Sequence, residues 1–282
     1  MILKVLKFFK LIISKIKNHF LFNKFSKEFP SFQETKDFCN NIIKDSYANK
    51  DLNNFRLQRF KLNFENLHTI PQPSYKFLIE VISVYFNHYK TFPKILDLGG
   101  GFGDGFLYLR NIFKDTDIAY SVVEQKEVVE LSKNIDFKCK SNHKIDFSNS
   151  IDLALEKNSY DLLFSSGTLQ CLENPYAILD KFNSTNIKMI GLTRNSFSKN
   201  TKYISQVSLL FSNGSGIVPQ NFKNRILVFP HTIIEEEKLY KTLNKFKISF
   251  TNSSIEPGIF KDCYSKDISL INYFTSKGIN MK

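Results

Sequence analysis

The 282-residue chain is 42% hydrophobic and 23% charged, which excludes a wholly disordered chain, and its 11 glycines and 8 prolines exclude collagen-like or low-complexity sequence. Basic residues outnumber acidic ones by 39 to 27, giving a net charge of +12, yet only five of the basic residues are arginine. Guanine and phosphate readout favours the planar guanidinium fork, so this surplus suits a soft electrostatic surface, or a bias of composition, better than sequence readout of nucleic acid.

Residues 1–24 place Val5, Phe8, Ile12, Ile16 and Phe20 on one helical face and Lys4, Lys7, Lys10 and Lys17 opposite. Lysines interrupt the apolar run and no small-residue cleavage site follows, so a signal peptide is excluded; no run of about 20 apolar residues provides a span. Residues 1–27 are expected to be a basic amphipathic helix, seated on an anionic membrane surface or docked on its own domain. The expected compartment is the cytoplasm, with peripheral attachment to the inner face of the membrane through residues 1–24.

Residues 28–70 read as a helical extension: 33–48 carry a helical stripe, and 50–70 show a mixed pattern without one period. Pro73 opens a helix whose stripe runs from Phe77 through Tyr85 and Phe86. From Lys94 to the end, strands at 94–98, 118–124, 144–147, 160–165 and 187–192 alternate with helices. That alternation predicts βαβ crossovers and a mostly parallel sheet, in an α/β domain over 71–282. The polar stretch at about 195–230 reads as an insertion, 233–244 as a helix, and FKISFT and ISLINYF as two closing strands whose short link permits antiparallel pairing.

The turn after the strand at 94–98 reads Asp97-Leu98-Gly99-Gly100-Gly101-Phe102-Gly103-Asp104-Gly105. Glycines there let backbone approach a ligand at the carboxyl end of a strand, where open α/β sheets bind nucleotides. GxGxxG fails in every register and no GxxxxGK[ST] exists, so neither a dinucleotide site nor a P-loop is expected. The pattern present is D-x-G-x-G-x-G, with Glu124 and Gln125 closing the next strand.

This set resembles motif I and the following acidic position of class I S-adenosylmethionine-dependent methyltransferases. The resemblance implies a Rossmann-like sheet, mostly parallel with an antiparallel last strand, and S-adenosylmethionine as cofactor. It implies that Asp97, Gly99, Gly100, Gly101 and Gly103 hold the methionine half, and that Glu124 and Gln125 lie at the ribose. Adenine contacts fall to Phe147 and Ser148, and Ser166 and Gly167 lie at the reacting end. A carboxylate accepts from both ribose hydroxyls at once, which is why an acid is wanted there.

Over most of the chain the segments LDLGGGFGD, YSVVEQ, SSGTLQCLENP, LTRNSF and VFPHT are similar to a methyltransferase family associated with O-antigen and capsular polysaccharide biosynthesis. That resemblance implies a sugar or sugar-linked glycan acceptor. Cys171 stands where relatives carry an aromatic, and His231 near where they carry tryptophan.

On the acceptor side Gln170, Arg194 and His231 are the candidate catalytic residues. Arg194 suits an anionic group on the acceptor, and a surface salt bridge is its alternative. His231 is expected in a loop before a helix, as a general base or a solvated histidine. Asn174-Pro175-Tyr176 lacks the second proline of [DN]PP[YF] and reads as a helix start. The four cysteines and five histidines have no metal-ligand spacing, so no metal site is expected. Two other functions stay open: an RNA or other nucleic-acid methyltransferase, disfavoured by the scarcity of arginine, and a non-catalytic membrane-surface protein retaining the cofactor fold.

Overall fold

The computed structural model describes residues 24–66, 73–137, 142–253 and 269–277. The amphipathic segment 1–23 and His68 lie outside the described residues. No helix among the described residues is long and apolar enough to cross a membrane.

The chain begins with a short strand β1 (Glu28–Phe29) and two helices, α1 (Phe32–Ile42) and α2 (Lys50–Glu65). Each helix is capped by its own sequence. Ser31 Oγ accepts from Glu34 N and Asn49 Oδ1 accepts from Leu52 N, each at 3.2 Å, satisfying one orphan amide at each start. Helix α3 (Pro73–Tyr89) then leads into β2 (Ile95–Leu98), α4 (Asp104–Ile112), β3 (Ile118–Val123), α5 (Lys126–Ser132), β4 (His143–Ser148), α6 (Ile151–Lys157) and β5 (Leu162–Ser166). Next come α7 (Pro175–Lys181), β6 (Met189–Ser198), β7 (Lys202–Leu209), β8 (Ile226–Glu235), α8 (Glu236–Thr242), β9 (Lys247–Ser253) and β10 (Ser269–Ser276).

The main sheet has the order β4-β3-β2-β5-β6-β10-β9, with β2 to β6 parallel and β10 antiparallel to both neighbours. This is the Rossmann-like order of the class I methyltransferase sheet, including the reversed last strand that the sequence leads one to expect. Two apolar layers flank it. Leu96, Leu163 and Ile190 face Leu179, Phe182 and Leu239, while Ile95, Tyr120 and Phe164 face Phe77, Val81 and Phe106. The chain leaves β2 toward β3 on one side and returns to β5 on the other. The crevice at the carboxyl ends of β2 and β5 is therefore the topological switch point.

Three expectations are corrected here. The strand expected to end at Leu192 runs on to Ser198 through a bulge: Ile271 opposes Asn195 and Tyr273 opposes Leu192, so the β6 side holds one extra residue. The insertion at 195–230 holds the end of β6, all of β7 and the start of β8, joined by an irregular loop over 210–225. Beyond the end of β5, β6 pairs with β8 at Phe197 and Ser198, and β7, β8 and β1 continue from there as an antiparallel flap. The helix expected from 233 begins only at Glu236, because Ile233 and Ile234 are fully buried in β8. His231 accordingly stands in mid-strand, not in a loop.

Helix α2 wedges between the flap and the glycine turn with helices α4 and α5 beside the main sheet. Leu52 and Phe55 pack against Leu227 and Phe229, while Leu57 and Phe60 pack against Phe102, Leu107 and Val128. Asn53, Arg59 and Asn63 are buried on the same helix.

Candidate functional site

A cavity of about 730 Å³ opens at the switch point. Its floor is the turn Gly99–Gly101 with Asp97 beneath; Glu124 and Gln125 stand at one end and Ser166, Gly167, Thr168, Gln170 and Cys171 at the other. Arg56, Arg59 and Phe60 of α2 and Tyr75 of α3 form a wall. The flap roofs it with Gln206, Ser208, Phe229 and the loop Ser212–Ser215.

The turn is shaped by glycine where nothing else fits. Gly99, Gly101 and Gly103 have φ of +75°, +61° and +92°. A Cβ on Gly100 would strike the Asp97 carboxylate, and one on Gly99 would strike Thr168. At Gly101 a Cβ would meet no backbone, only the Arg56 guanidinium at 3.1 Å and the Asp104 carboxylate at 3.5 Å on the cavity side. Gly103, expected at the cofactor, instead caps α4 and faces Ile145, Phe137 and Phe147 under the turn.

Asp97 is 4% exposed, and Tyr120 Oη donates to its Oδ2 at 2.5 Å. Burial pushes its carboxyl up to about 7, against the pull of the Tyr120 hydrogen bond and with help from Glu124 and Asp104. Between about pH 4 and pH 7 the folded state therefore keeps a proton that the unfolded state, at 3.8, has lost. This contribution is fully present below the unfolded value and is lost as pH rises to the folded one. Asp97→Asn still accepts from Tyr120 but cannot ionise. It should remove this decline, seen as a flatter urea midpoint from about pH 4 to 7 than in the parent.

Glu124 closes the cavity floor. Its Oε1 accepts from Gly101 N at 3.2 Å and lies 3.5 Å from Arg56 Nη2, while its Oε2 accepts from Gln125 N at 2.9 Å. Strand register brings it there, since Val123 pairs with Leu98 and Glu124 follows. Asp104 at the first turn of α4 also lines the cavity; burial raises its carboxyl pKa, and Arg56 opposes the shift.

Other expected residues divide. Ser166 and Gly167 line the cavity, and Ser166 Oγ is buried without a partner among the described residues. Gln170 lines it too, but its Oε1 is committed to Ser196 N and Oγ at 3.0 and 3.1 Å, so it ties the β5 loop to β6. Cys171 lies beside it, and burial pushes its thiol up to about 11, which rules out a thiolate nucleophile at neutral pH. Arg194 sits in the β6 bulge with φ +59°, a left-handed conformation that turns its side chain toward the cavity.

Besides Gly103, three residues are not where expected. Phe147 stacks on Phe137 at 5.7 Å under the turn, and Ser148 Oγ donates to Ser150 O; the next residue, Asn149, reaches the cavity instead. His231 is fully buried in β8 with burial pushing its imidazole down to about 3, so it is not a solvent-linked base.

Sequence reasoning missed the wall. Arg59 donates to the carbonyls of Phe211, Asn213, Ser215 and Gly216 at 2.8–3.2 Å, and Asn63 adds Ser215 O and Ile217 N. Three of the five arginines, Arg56, Arg59 and Arg194, line this one cavity. That concentration is a signal the sequence held, but only the fold shows that these positions meet.

These features fit S-adenosylmethionine: a bare glycine backbone at Gly101, an acid at Glu124 and an unpartnered hydroxyl at Ser166. No protein-family model matches the sequence, and no curated protein matches it. Solved structures similar to the chain include magnesium protoporphyrin IX methyltransferase from Synechocystis PCC 6803 with bound SAM, at 14% identity and TM-score 0.47 over 85% of this chain and 97% of that one. A S-adenosylmethionine-dependent methyltransferase from Clostridium acetobutylicum is 12% identical, TM-score 0.46, over 77% and 96%. At this distance the fold assignment rests on the strand order itself.

Proposed function

We propose that the chain is a S-adenosylmethionine-dependent methyltransferase acting on a sugar or sugar-linked intermediate of surface polysaccharide synthesis. The observation that carries the cofactor is the D-x-G-x-G-x-G turn at the switch point with Glu124 bonded to its central glycine. Bound there, the cofactor supplies a methyl group on a sulfonium, already a good leaving group. The chain's own part is then alignment and exclusion of water. The flap and α2 close the cavity, and Gly101 and Glu124 hold the cofactor end.

The acceptor reading rests on the sequence resemblance and is supported by the roof. Tyr47 and Phe229 stack at 4.4 Å and both line the cavity, beside the polar Gln206, Ser208 and Asn213. Sugars present both an apolar ring face and hydroxyls, and this wall offers partners for each. A hydroxyl acceptor must also lose its proton as the methyl arrives. Asp97, Asp104 and Glu124 are the cavity's carboxylates, and among the described residues no histidine lines it.

Transfer of labelled methyl from the cofactor into sugar nucleotides, with RNA as the competing acceptor, tests the substrate class. Arg194→Ala should raise the acceptor's KM about tenfold or more, as expected for one lost charge-assisted hydrogen bond, with little change in S-adenosylhomocysteine affinity. Equal losses for both ligands would remove Arg194 from the acceptor side.

A further inference from the structure

His231 has no part in the function proposed so far, and Gln206 enters it only as one polar residue of the roof. His231 Nδ1 lies 2.7 Å from Gln206 Oε1 on the adjacent strand β7, and His231 Nε2 has no partner among the described residues. The ring is fully buried, which keeps it neutral, so only one of its nitrogens carries a proton. Two arrangements are then open. In one, Nδ1–H donates to Gln206 Oε1, and the orphan at Nε2 is a lone pair. In the other, the amide is turned and its NH2 donates to Nδ1, so the orphan at Nε2 is a buried N–H. A buried donor without an acceptor is the rarer and costlier of these. The first arrangement therefore holds, and it leaves the Gln206 amide NH2 free.

Gln206 lines the cavity, and its register partner on β8 is Phe229, which stacks on Tyr47. We infer that His231 is a positioning residue that fixes Gln206 with its amide NH2 facing the cavity, as a permanent hydrogen-bond donor to an oxygen of the acceptor beside the Tyr47–Phe229 pair. Such a donor selects ligands that present a lone pair there, whether hydroxyl, ether, carbonyl, carboxylate or phosphoryl oxygen. It disfavours ligands presenting an N–H, which would leave two donors facing each other. His231 never meets the ligand. It acts by removing the amide's freedom to turn, so the donor is in place before binding. The inference rests on reading this part of the cavity as the acceptor side.

Long-range 15N–1H correlation spectra of histidine-labelled full-length protein, recorded without ligand, test the arrangement. His231 should show a protonated Nδ1 and an unprotonated Nε2, unchanged between about pH 5 and 8, the range in which an ordinary histidine titrates. Gln206→Leu should convert that one histidine to a mixture of tautomers. Gln206→Glu, whose carboxylate still accepts, should restore the Nδ1–H form. A His231 in the Nε2–H form, or a spectrum indifferent to Gln206→Leu, would overturn the assignment. Calorimetry with S-adenosylhomocysteine on the same sample separates the two readings. An intact Nδ1–H tautomer in protein that does not bind that ligand supports the fixed donor and refutes the cofactor.

Discussion

Gly99→Ala should destabilise the fold by roughly 2–6 kcal/mol and abolish S-adenosylhomocysteine binding. Two independent terms add. Gly99 has φ +75°, where an L residue pays about 1–3 kcal/mol of backbone strain. Its new Cβ would also lie 2.6 Å from Thr168 Cβ and 2.5 Å from Thr168 Cγ2. Rotating the threonine moves Cγ2 but leaves the 2.6 Å contact in place, because Cβ does not move with χ1. Overpacking of this kind costs about 1–3 kcal/mol. The turn and the β5 loop must then separate, and those two segments form the floor and one end of the cavity. Urea unfolding of Gly99→Ala, Thr168→Gly and the double variant forms a cycle. The double variant should regain the packing part and retain the strain part. Loss of the same size in the presence and absence of Thr168 would place the whole effect on the backbone.

The second large effect belongs to a residue far from the glycine turn in sequence. Arg59→Met should cost about 3–5 kcal/mol, because it leaves four loop carbonyls without their charged donor in a site where Arg59 itself is 7% exposed. Asn63 still holds Ser215 O and Ile217 N, so the loop loosens without leaving α2. Amide hydrogen exchange should quicken across 211–217 well beyond the global loss of stability. Unchanged exchange there, with a lowered urea midpoint, would mean that Arg59 supports α2 and not the roof.

These two predictions mark the two sides of what the chain discloses. The glycine turn was legible because its requirement is local: three positive-φ positions between a buried strand and a helix leave little choice of residue. Strands β2, β3 and β5 were legible because buried parallel strands read as short apolar runs. Helix α2 was opaque for the opposite reason. It is buried on several sides, by apolar residues toward the flap and toward the glycine turn with α4 and α5, and by Arg59 and Asn63 toward the loop, so no single stripe marks it.

The end of β8 misled because Ile233-Ile234 precedes an acidic run and so imitates a helix start, whereas pairing with β7 extends the strand to Ile233. His231 was drawn into that false loop, and its burial is a tertiary fact that no local pattern carries. Phe147 and Ser148 failed by register. Phe147 faces inward and packs under the glycine turn, while the Ser148 hydroxyl, on the other face, is taken up by its bond to Ser150 O.

Glu124 and the glycine turn are expected to hold S-adenosylmethionine. Titration calorimetry with S-adenosylhomocysteine on the parent chain and on Glu124→Ala tests it most directly. The parent should bind, and Glu124→Ala should bind more weakly by about 2–3 kcal/mol, the loss expected when charge-assisted hydrogen bonds to ribose hydroxyls disappear. NAD should give no appreciable heat with either, since the glycines fit no dinucleotide fingerprint. Equal affinity of the two proteins for S-adenosylhomocysteine, or micromolar binding of NAD by the parent, would contradict it.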